Sequence, residues 1–339
     1  MDTVRWGFIG CGAVTEVKSG PAFSEVEGSQ VVAVMSRTEE KARSYAQRHG
    51  IPRHYTDALA LINDPEVNAV YIATPPSSHA TFATMAMRAG KPVYIEKPMA
   101  SNYDEAIRIC RTAERTKVPC FVAFYRRQLP YFLRVQEIVQ SGQLGKILTC
   151  HLRLAVPPKE LDYAANDRAA DQSGQGLPWR LQPDIAGGGG YFYDLAPHQI
   201  DLLQLLLGNI IEAQGYKANR AGLYSVEDCL SACLQFDSGI IGSAMWCFVA
   251  HESARTDRIQ IIGQNGSVSF SVYDYKPISL YTSAGHQTFA FDNPPHVQEP
   301  LIRQVVAHLR GQGVCKSDAN NGASVNWVMD KILGKFRID

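Results

Sequence analysis

Short apolar runs alternate with helical patterns over the first third of the chain, and this alternation constrains the fold more than any other feature. The apolar runs predict strands at 4–9, 31–35, 68–73, 93–95 and 119–124. The helical patterns lie between them, at 14–26, 38–49, 78–89 and 103–116. Strands that are apolar throughout are typical of a parallel sheet covered on both faces. We therefore predict an α/β fold with a doubly wound sheet in a first domain, residues 1–122.

The pattern changes in the rest of the chain, residues 123–339. After a helix at 130–141 and a strand at 146–156, a polar stretch leads to an apolar segment at 191–207. Strand-like segments then follow one another, at 211–218, 226–236, 240–250, 258–263 and 266–273. Turn residues separate several of these strands, which favours hairpins, and helices at 298–310 and 323–333 close the chain. We predict an α+β second domain with a large, mostly antiparallel open sheet.

Composition excludes several classes of protein. Lys and Arg number 33 and so do Asp and Glu, and a net charge of zero argues against a nucleic-acid-binding protein. The chain has no apolar stretch of membrane-spanning length and begins without a secretory leader, so we expect no membrane partner and a cytoplasmic location. The eight cysteines are scattered without a CxxC pair, which predicts neither a metal site nor a disulfide framework.

A glycine turn follows the first strand. Gly10 and Gly12 precede Ala13 and Val14, which open the first helix. Two glycines let the backbone turn tightly and approach a pyrophosphate, which then lies at the helix N-terminus. Thr15 stands at the third position of this fingerprint, where glycine or alanine is usual. The pattern predicts a dinucleotide site in a Rossmann domain, and the alternative is a structural turn.

The end of the second strand bears on which dinucleotide is bound. An NAD-specific site places an acidic residue there, on the ribose hydroxyls. This chain has Ser36 and Arg37, a hydroxyl and a guanidinium that suit a 2′-phosphate. We predict a preference for NADP, with NAD possible, and the alternative for Arg37 is a solvated surface residue.

Polar residues also follow the third and fourth strands. Thr74 and Pro75 follow the third strand and are predicted to border the cofactor, with His79 opening the next helix. Glu96 and Lys97 follow the fourth strand and are predicted to face the same crevice. A lysine there stabilises negative charge on a substrate oxygen. The alternative is a surface ion pair between these two residues.

A second group of candidate residues follows the glycines at 187–190. Asp194 and His198 are four residues apart, which places them on one face of a helix. An acid and an imidazole on an otherwise apolar helix suit proton transfer near neutral pH. Pro197 predicts that the helix begins near Asp194 or is kinked there. The alternative is a capping aspartate beside a buried histidine.

Taken together, three motifs resemble the glucose–fructose oxidoreductase, inositol dehydrogenase and MocA family. They are Gly10-x-Gly12, Glu96-Lys97-Pro98 and Gly188-Gly189-Gly190-x-x-x-Asp194-x-x-x-His198. The resemblance spans the chain and implies a Rossmann domain followed by an antiparallel sheet used partly in oligomer contacts. Ser36-Arg37 and Trp179-Arg180 look closest to anhydrofructose reductases and dihydrodiol dehydrogenases.

The resemblance implies oxidation of sugar or polyol hydroxyls, or reduction of the matching carbonyls. It implies Lys97 and His198 as the catalytic pair, with Asp194 binding substrate or relaying a proton. We expect NADPH to deliver hydride to a carbonyl carbon while His198 donates a proton to the oxygen, which Lys97 polarises, with no metal. Polar and aromatic residues predicted to contact a carbohydrate-like substrate, or to pack between domains, are Tyr125, Arg126, Arg127, Tyr163, Trp179 and Arg180.

Two other functions stay open at this point. A nicotinamide-dependent glycosidase of related fold would show no net NADPH consumption, and a non-catalytic dinucleotide sensor would tend to lose the lysine and the histidine. Apolar residues occur on both alternation sets of 226–236 and 240–250, which predicts that neither sheet face is plainly solvated. We therefore expect a homodimer or homotetramer.

Overall fold

The structure, a computed structural model, describes residues 1–159, 179–187 and 190–336. The chain forms two compact units. The first comprises Met1–Leu129 and Asn293–Asn326, and the second Pro130–Asp292 and Trp327–Asp339. The expected domains, 1–122 and 123–339, divide the chain slightly earlier and leave 293–326 with the second domain. The first unit takes up that segment because it packs on the parallel sheet, where Ser317 donates to the carbonyl of Val122 at 2.7 Å.

The strands, in chain order, are β1 (Val4–Ile9), β2 (Ser29–Met35), β3 (Arg53–Tyr55), β4 (Ala69–Ile72), β5 (Val93–Ile95), β6 (Cys120–Val122), β7 (Ile147–Ala155), β8 (Ile210–Ala218), β9 (Cys229–Phe236), β10 (Ile241–Cys247), β11 (Thr256–Gly263), β12 (Gly266–Phe270), β13 (Ile278–Thr282) and β14 (Gly285–Phe289). The α-helices are α1 (Ala13–Val17), α2 (Gly20–Glu25), α3 (Glu39–His49), α4 (Ala58–Asn63), α5 (His79–Arg88), α6 (Tyr103–Thr116), α7 (Pro130–Gln140), α8 (Pro183–Ala186), α9 (Gly190–Leu207), α10 (Glu299–Leu309) and α11 (Ala319–Ile332).

The first unit contains a six-stranded sheet in the order β3-β2-β1-β4-β5-β6, with every pairing parallel. This confirms the predicted doubly wound sheet. The sequence predicts five strands, and the sixth is β3, an edge strand of three residues that are exposed or half-buried. An edge strand that buries little apolar surface does not need a continuous apolar run, so β3 does not show the pattern that marks its neighbours.

Aromatic side chains fill the core of the first unit. Phe23 from α2 packs edge-on against Trp6 and Phe8 of β1, with ring centroids 5.0 and 4.9 Å apart. Tyr71 and Tyr94, on β4 and β5, stack at 5.5 Å. The indole N–H of Trp6 is buried and donates to the Ser29 hydroxyl at 3.0 Å. The sheet and α2 are therefore joined by rings whose polar atoms have partners, as burial requires.

The segment predicted as one helix at 14–26 forms two helices, α1 and α2, with the break before Gly20-Pro21. A Cβ atom at Gly20 would lie 2.0 Å from the carbonyl oxygen of Thr15 and 2.9 Å from the Tyr45 hydroxyl. The close approach of the two helices therefore depends on the missing side chain.

The second unit contains an eight-stranded sheet in the order β14-β13-β12-β11-β7-β10-β9-β8. Its pairings are antiparallel except β7 with β10, which confirms a mostly antiparallel sheet. Strands β13 and β14 are not among those predicted from the sequence, because both are short and β14 is mostly polar.

Burial alternates along β9 and β10 of the single chain, so one face of the sheet is covered within the chain, and the expectation that neither face is plainly solvated stays a prediction for the other face. Leu230, Leu234 and Trp246 are buried on one face, whereas Cys233 and Ile241 are exposed on the other.

The helix with the predicted acid and imidazole, α9, runs from Gly190 to Leu207 with Pro197 inside it. Of the two alternatives, a start near Asp194 is wrong, and a kink at Pro197 stays a prediction. Phe192 packs on Trp246 with centroids 5.0 Å apart, and Tyr191 packs near Phe248 at 5.9 Å. These contacts hold the turn before Pro197 against the sheet, so the helix extends upstream of the proline. Among the described helices, none is both long and apolar enough to cross a bilayer.

We predict that Gly20→Ala lowers the free energy of unfolding by about 1–3 kcal/mol, because the added methyl group cannot fit beside the Thr15 carbonyl. The measurement is a urea titration followed by circular dichroism. The control is Gly313→Ala, where the nearest atom would lie 3.7 Å from the new Cβ. A Gly20→Ala protein as stable as this control would contradict the packing described for α1 and α2.

Candidate active site

Three loops meet at the carboxyl edge of the first unit's sheet. They follow β1, β4 and β5, which are neighbours in the sheet. The order of strands reverses between β1 and β4, because β2 lies on one side of β1 and β4 on the other. In open α/β sheets, ligands bind beyond the carboxyl ends of the strands at such a reversal. The first unit therefore places the predicted cofactor residues where a ligand site is expected.

The two glycines of the turn after β1 differ in what a side chain at each position would meet. Gly10 has a φ of +111°, and its Cβ would lie 2.8 Å from the carbonyl oxygen of Ala73, in the loop after β4. Gly12 has an extended backbone, with φ −100° and ψ 180°, and a Cβ there would meet nothing within 4 Å. Gly10 is therefore required by the fold, whereas Gly12 leaves an open surface that fits a closely approaching dinucleotide.

Thr15, the unusual third residue of the fingerprint, is fully buried in α1. Its hydroxyl donates to the carbonyl of Gly12 at 2.8 Å, and the Tyr45 hydroxyl of α3 donates to the carbonyl of Thr15 at 2.9 Å. Burial raises the pKa of Tyr45 to about 12, so the phenol remains a donor at neutral pH. The turn that leads to Ala13 and Val14 is therefore held by α3.

Ser36 and Arg37 follow β2 as predicted. The backbone N–H of Ser36 donates to the carbonyl of Tyr55 at 3.1 Å, so β3 supports the position of this loop. Ser36 is half-buried and Arg37 is exposed. A serine hydroxyl and an exposed guanidinium at this strand end suit an anionic group.

The loop after β4 is held by internal hydrogen bonds. The Ser78 hydroxyl donates to that of Thr74 at 2.7 Å. The ring of His79 is buried, with Nε2 lying 2.7 Å from the carbonyl of Thr74 and Nδ1 3.0 Å from that of Pro98. Burial lowers the pKa of His79, and the two carbonyls oppose that shift. Because both ring nitrogens face backbone carbonyls, His79 joins the Thr74-Pro75 loop to the loop after β5 rather than reaching a ligand itself.

Glu96 is a buried carboxylate at the end of β5, with 8% of its surface exposed. Its Oε1 atom accepts hydrogen bonds from the Tyr71 hydroxyl and from Nε2 of Gln298, both at 2.7 Å. Oε1 of Gln298 lies 3.2 Å from the hydroxyl of Tyr94, which donates to it. Burial, followed by the charge of Glu96, raises the pKa of both tyrosines well above the ordinary value, so both remain donors.

Sequence reasoning did not identify Tyr71, Tyr94 or Gln298. The tyrosines lie inside strands that look purely structural, and Gln298 is 202 residues from Glu96 along the chain. No local pattern links residues that far apart. The hydrogen bonds of the Glu96 carboxylate nevertheless fix the backbone position of Lys97, because Lys97 is the next residue. Lys97 is half-buried and is joined to Pro98 by a cis peptide bond.

In the second unit, α9 carries Asp194 and His198 one turn apart. Asp194 forms an ion pair with Arg180, whose Nε lies 2.9 Å from Oδ2 of the carboxylate. His198 is 3% exposed. The structure thus brings together Asp194 and Arg180, which were predicted separately as substrate contacts, and it buries the imidazole of His198 one helical turn from Asp194.

Further contacts fix the start of α9. Tyr193 donates a short hydrogen bond to Oδ1 of Asp330, and burial raises the pKa of this tyrosine well above the ordinary value. The ammonium of Lys335 donates to the Tyr193 hydroxyl and to the carbonyl of Gly187, both at 2.9 Å. Sequence reasoning did not identify Asp330 or Lys335, which come from the end of the chain.

Two more contacts hold the middle of α9. Oε1 of Gln199 accepts from the indole N–H of Trp246 at 2.7 Å. The Tyr273 hydroxyl donates to the carbonyl of Leu195. The loop carrying Tyr273 is itself fixed by Asp257, whose Oδ2 accepts from three successive backbone N–H groups, 272 to 274, at 2.5 to 2.9 Å. Asp194 and His198 therefore project from a rigid helix.

The remaining residues predicted to contact the substrate are either bonded within the first unit or lie outside the described residues. Arg126 donates to the Tyr125 hydroxyl at 2.7 Å, and both side chains are buried in the first unit. Arg127 donates to the carbonyl of Lys316 at 3.2 Å, also within the first unit. Tyr163, the side chain of Trp179, and Gly188 and Gly189 lie outside the described residues.

The predicted catalytic residues are divided between the units, with Lys97 in the first and Asp194 and His198 in the second. Within the described ranges, no group of three or more His, Cys, Asp or Glu side chains is placed to hold a metal ion.

We predict that Gly12→Ala weakens dinucleotide binding on the order of tenfold while leaving the thermal midpoint unchanged. The new methyl group would lie in the open space where the pyrophosphate must approach, and it would meet no protein atom within 4 Å. Binding is measured by titrating NADH and NADPH against protein fluorescence, with Gly313→Ala as the control. Unchanged affinity in Gly12→Ala would place the pyrophosphate elsewhere.

Comparisons with known proteins agree with the fold and the motifs. Residues 4–124 match the family described as "Oxidoreductase family, NAD-binding Rossmann fold", and residues 132–269 match the GFO/IDH/MocA C-terminal domain. Oxidoreductase P35 of Formosa agariphila is 38% identical over 98% of both chains. The 1,5-anhydro-D-fructose reductase of Ensifer adhaerens is 26% identical over 94% of this chain and 92% of its own.

Among solved structures, levoglucosan dehydrogenase in complex with NADH and levoglucosan superposes with a TM-score of 0.86. It is 21% identical, and the match covers 98% of this chain and 96% of that one. Both halves of the chain match, in the order that the resemblance implies. The chain belongs to the GFO/IDH/MocA family of NAD(P)-binding oxidoreductases.

Proposed function

We propose that this oxidoreductase interconverts a hydroxyl and a carbonyl group on a sugar, an anhydrosugar or a polyol-like molecule. The observation that carries the proposal is the buried Glu96 carboxylate, which fixes the start of the Lys97 loop at the carboxyl edge of the sheet. A buried carboxylate with two donors is costly to place, and it holds the residue beside it in one position. The relatives named above, an anhydrofructose reductase and a levoglucosan dehydrogenase, support the substrate class.

The first unit contains the residues suited to hold a dinucleotide. The open face at Gly12 fits the pyrophosphate, Ser36 and Arg37 fit the ribose end, and Thr74 and Pro75 border the nicotinamide end. When bound, the nicotinamide ring supplies or accepts the hydride. Every other step of the reaction falls to side chains of the chain itself.

Lys97 and His198 act on the oxygen of the reacting group in this proposal. The Lys97 ammonium donates to that oxygen and stabilises the negative charge that develops on it. His198 takes up the hydroxyl proton during oxidation and returns a proton to the oxygen during reduction. An imidazole nitrogen can accept a proton and, once protonated, donate it, so one residue serves both directions.

Asp194 orients the substrate or relays a proton. Its ion pair with Arg180 holds one carboxylate oxygen 2.9 Å from Nε of the guanidinium, which limits the rotation of the side chain. A carboxylate and a guanidinium held side by side offer both an acceptor and donors, which suits a polyhydroxylated ligand.

We keep two further predictions within this proposal. The chain prefers NADP, with NAD possible, because a serine and an exposed arginine follow β2 where an NAD-specific site has an acid. It assembles as a homodimer or homotetramer, which is consistent with Tyr216 and Ile241 being 80% and 63% exposed on one face of the second sheet.

We predict that Arg37→Ala weakens NADPH binding about 10- to 30-fold and changes NADH binding by less than about twofold, because only NADPH carries the 2′-phosphate. Dissociation constants for both cofactors are measured with the wild-type protein and the variant. Arg88→Ala removes an equally exposed arginine from α5 and serves as the control. Tighter binding of NADH than NADPH to the wild type would reject the NADP preference.

We predict that Lys97→Ala lowers kcat by about 100- to 10,000-fold with NADPH affinity retained, because it removes the charge beside the reacting oxygen. The rate is followed as NADPH oxidation with a panel of keto sugars and anhydro sugars. Lys316→Ala, which removes an exposed lysine of the same unit, is the control. Turnover at the wild-type rate in Lys97→Ala would remove Lys97 from the mechanism.

The same panel separates the alternative functions. A reductase consumes NADPH in proportion to the substrate converted. A glycosidase that oxidises its sugar only transiently would release product with no net consumption, and a sensor would bind the cofactor without turnover.

A further inference from the structure

Two cysteines lie directly opposite each other on neighbouring strands of the second sheet. Cys229 is the first residue of β9 and Cys247 is the last of β10, and the antiparallel register pairs them. No local sequence pattern links these two cysteines, because they are distant in sequence and lack a CxxC spacing. The register brings them together, and this pairing is independent of the proposed function.

The hydrogen-bond pattern identifies the type of this pair. The backbone N–H of Phe248 donates to the carbonyl of Asp228 at 2.8 Å, so residues 228 and 248 form a hydrogen-bonded pair. Because the two types of pair alternate along an antiparallel ladder, 229 and 247 form a non-hydrogen-bonded pair. In such pairs the Cα atoms are about 4.5 Å apart and the side chains are closer. Disulfides bridge Cα separations of roughly 4.4–6.8 Å, so the backbone already meets this requirement.

The surroundings of the pair favour contact between the two thiols. The register partner of Cys229 on β8 is Ala218, and that of Cys247 on β7 is Ala155, so only methyl groups flank the pair along the row. Both cysteines are half-buried, so part of each side chain is exposed in the single chain. Burial, followed by the neighbouring Cys247 thiol, raises the pKa of Cys229, which agrees with the two thiols being neighbours across the ladder.

We infer that Cys229 and Cys247 form a reversible disulfide across β9 and β10 when the protein meets a low-molecular-weight disulfide. One protein thiolate attacks a sulfur atom of the small disulfide and releases one small thiol, leaving a mixed disulfide. The second protein thiolate then attacks the protein sulfur of that mixed disulfide and releases the second small thiol. The two protein thiols are oxidised and the small disulfide is reduced to two thiols, which take up the two protons.

The position of the bond would link it to α9. Trp246 precedes Cys247 and lies on the opposite face of β10, where its indole N–H donates to Gln199, the neighbour of His198. A covalent bond at Cys247 would therefore fasten the strand end that supports this part of α9. The site is a redox-sensitive modification site behind the helix that carries the predicted imidazole.

The test is peptide mapping of the folded, full-length protein after incubation with oxidised glutathione. A protease that cleaves before aspartate separates residues 228–236, with Cys229 and Cys233, from residues 237–256, with Cys247. We expect these two peptides to be joined, with the loss of two hydrogen atoms, and to separate after dithiothreitol. Glutathione adducts on both peptides with no joined species would overturn the inference.

Serine variants identify the partner. Cys233 is exposed on β9 and pairs with Ser243, so Cys233→Ser should keep the joined peptides. Cys229→Ser and Cys247→Ser should abolish them, and in each the remaining cysteine should hold one glutathione because no second thiol resolves the mixed disulfide. A joined species that persists in Cys229→Ser and disappears in Cys233→Ser would assign the bond to Cys233 and overturn the pairing.

Discussion

The candidate cofactor site at the carboxyl edge of the first unit's sheet depends on the hydrogen bonds of the buried Glu96 carboxylate. Burying a charge is unfavourable unless donors surround it, and here the donors come from β4 and from the segment that begins at Asn293. The Tyr71 hydroxyl bonds the carboxylate to the neighbouring strand. The Gln298 amide bonds it to a part of the same unit that is distant along the chain. Removing either donor would leave a buried charge short of partners, so the network enforces the position of the loop. The residue it positions is Lys97, whose ammonium would have to meet the reacting oxygen within a narrow distance in the proposed reaction.

The second unit applies the same principle to a helix. The start of α9 is held by the cluster of Tyr193, Asp330 and Lys335, and its middle by Trp246 and Tyr273. Each contact joins a polar atom of the helix to a group fixed on another element. Pro197 interrupts the helical hydrogen-bond ladder, which by itself favours a break or a kink. The surrounding contacts keep the helix continuous through the proline, and Asp194 and His198 remain one turn apart on it.

The parts of the fold and site that depend on local pattern were predictable from the sequence. Continuous apolar strands, the Gly10-Gly12 turn and the polar residues after β2, β4 and β5 lie near each other along the chain, and each was predicted. The missed features depend on distance along the chain or on weak burial. Gln298 meets Glu96 only through the tertiary fold, and Asp330 meets Tyr193 in the same way. Strand β3 buries too little to show a period, and the pairing of Cys229 with Cys247 needs a register that no composition reveals.

The residues predicted to contact a ligand fall into two groups, those held by hydrogen bonds within the protein and those exposed at its surface. His79 and Arg126 are buried against groups of the first unit, a backbone carbonyl at 2.7 Å and the Tyr125 hydroxyl, also at 2.7 Å. A residue held in this way shapes a site through what it positions, and a ligand that displaced it would have to replace those hydrogen bonds. Arg37 differs because it is exposed at a strand end. With a net charge of zero, the chain would attract an anionic dinucleotide through such local groups, and the proposed selectivity for a 2′-phosphate would therefore rest on few residues.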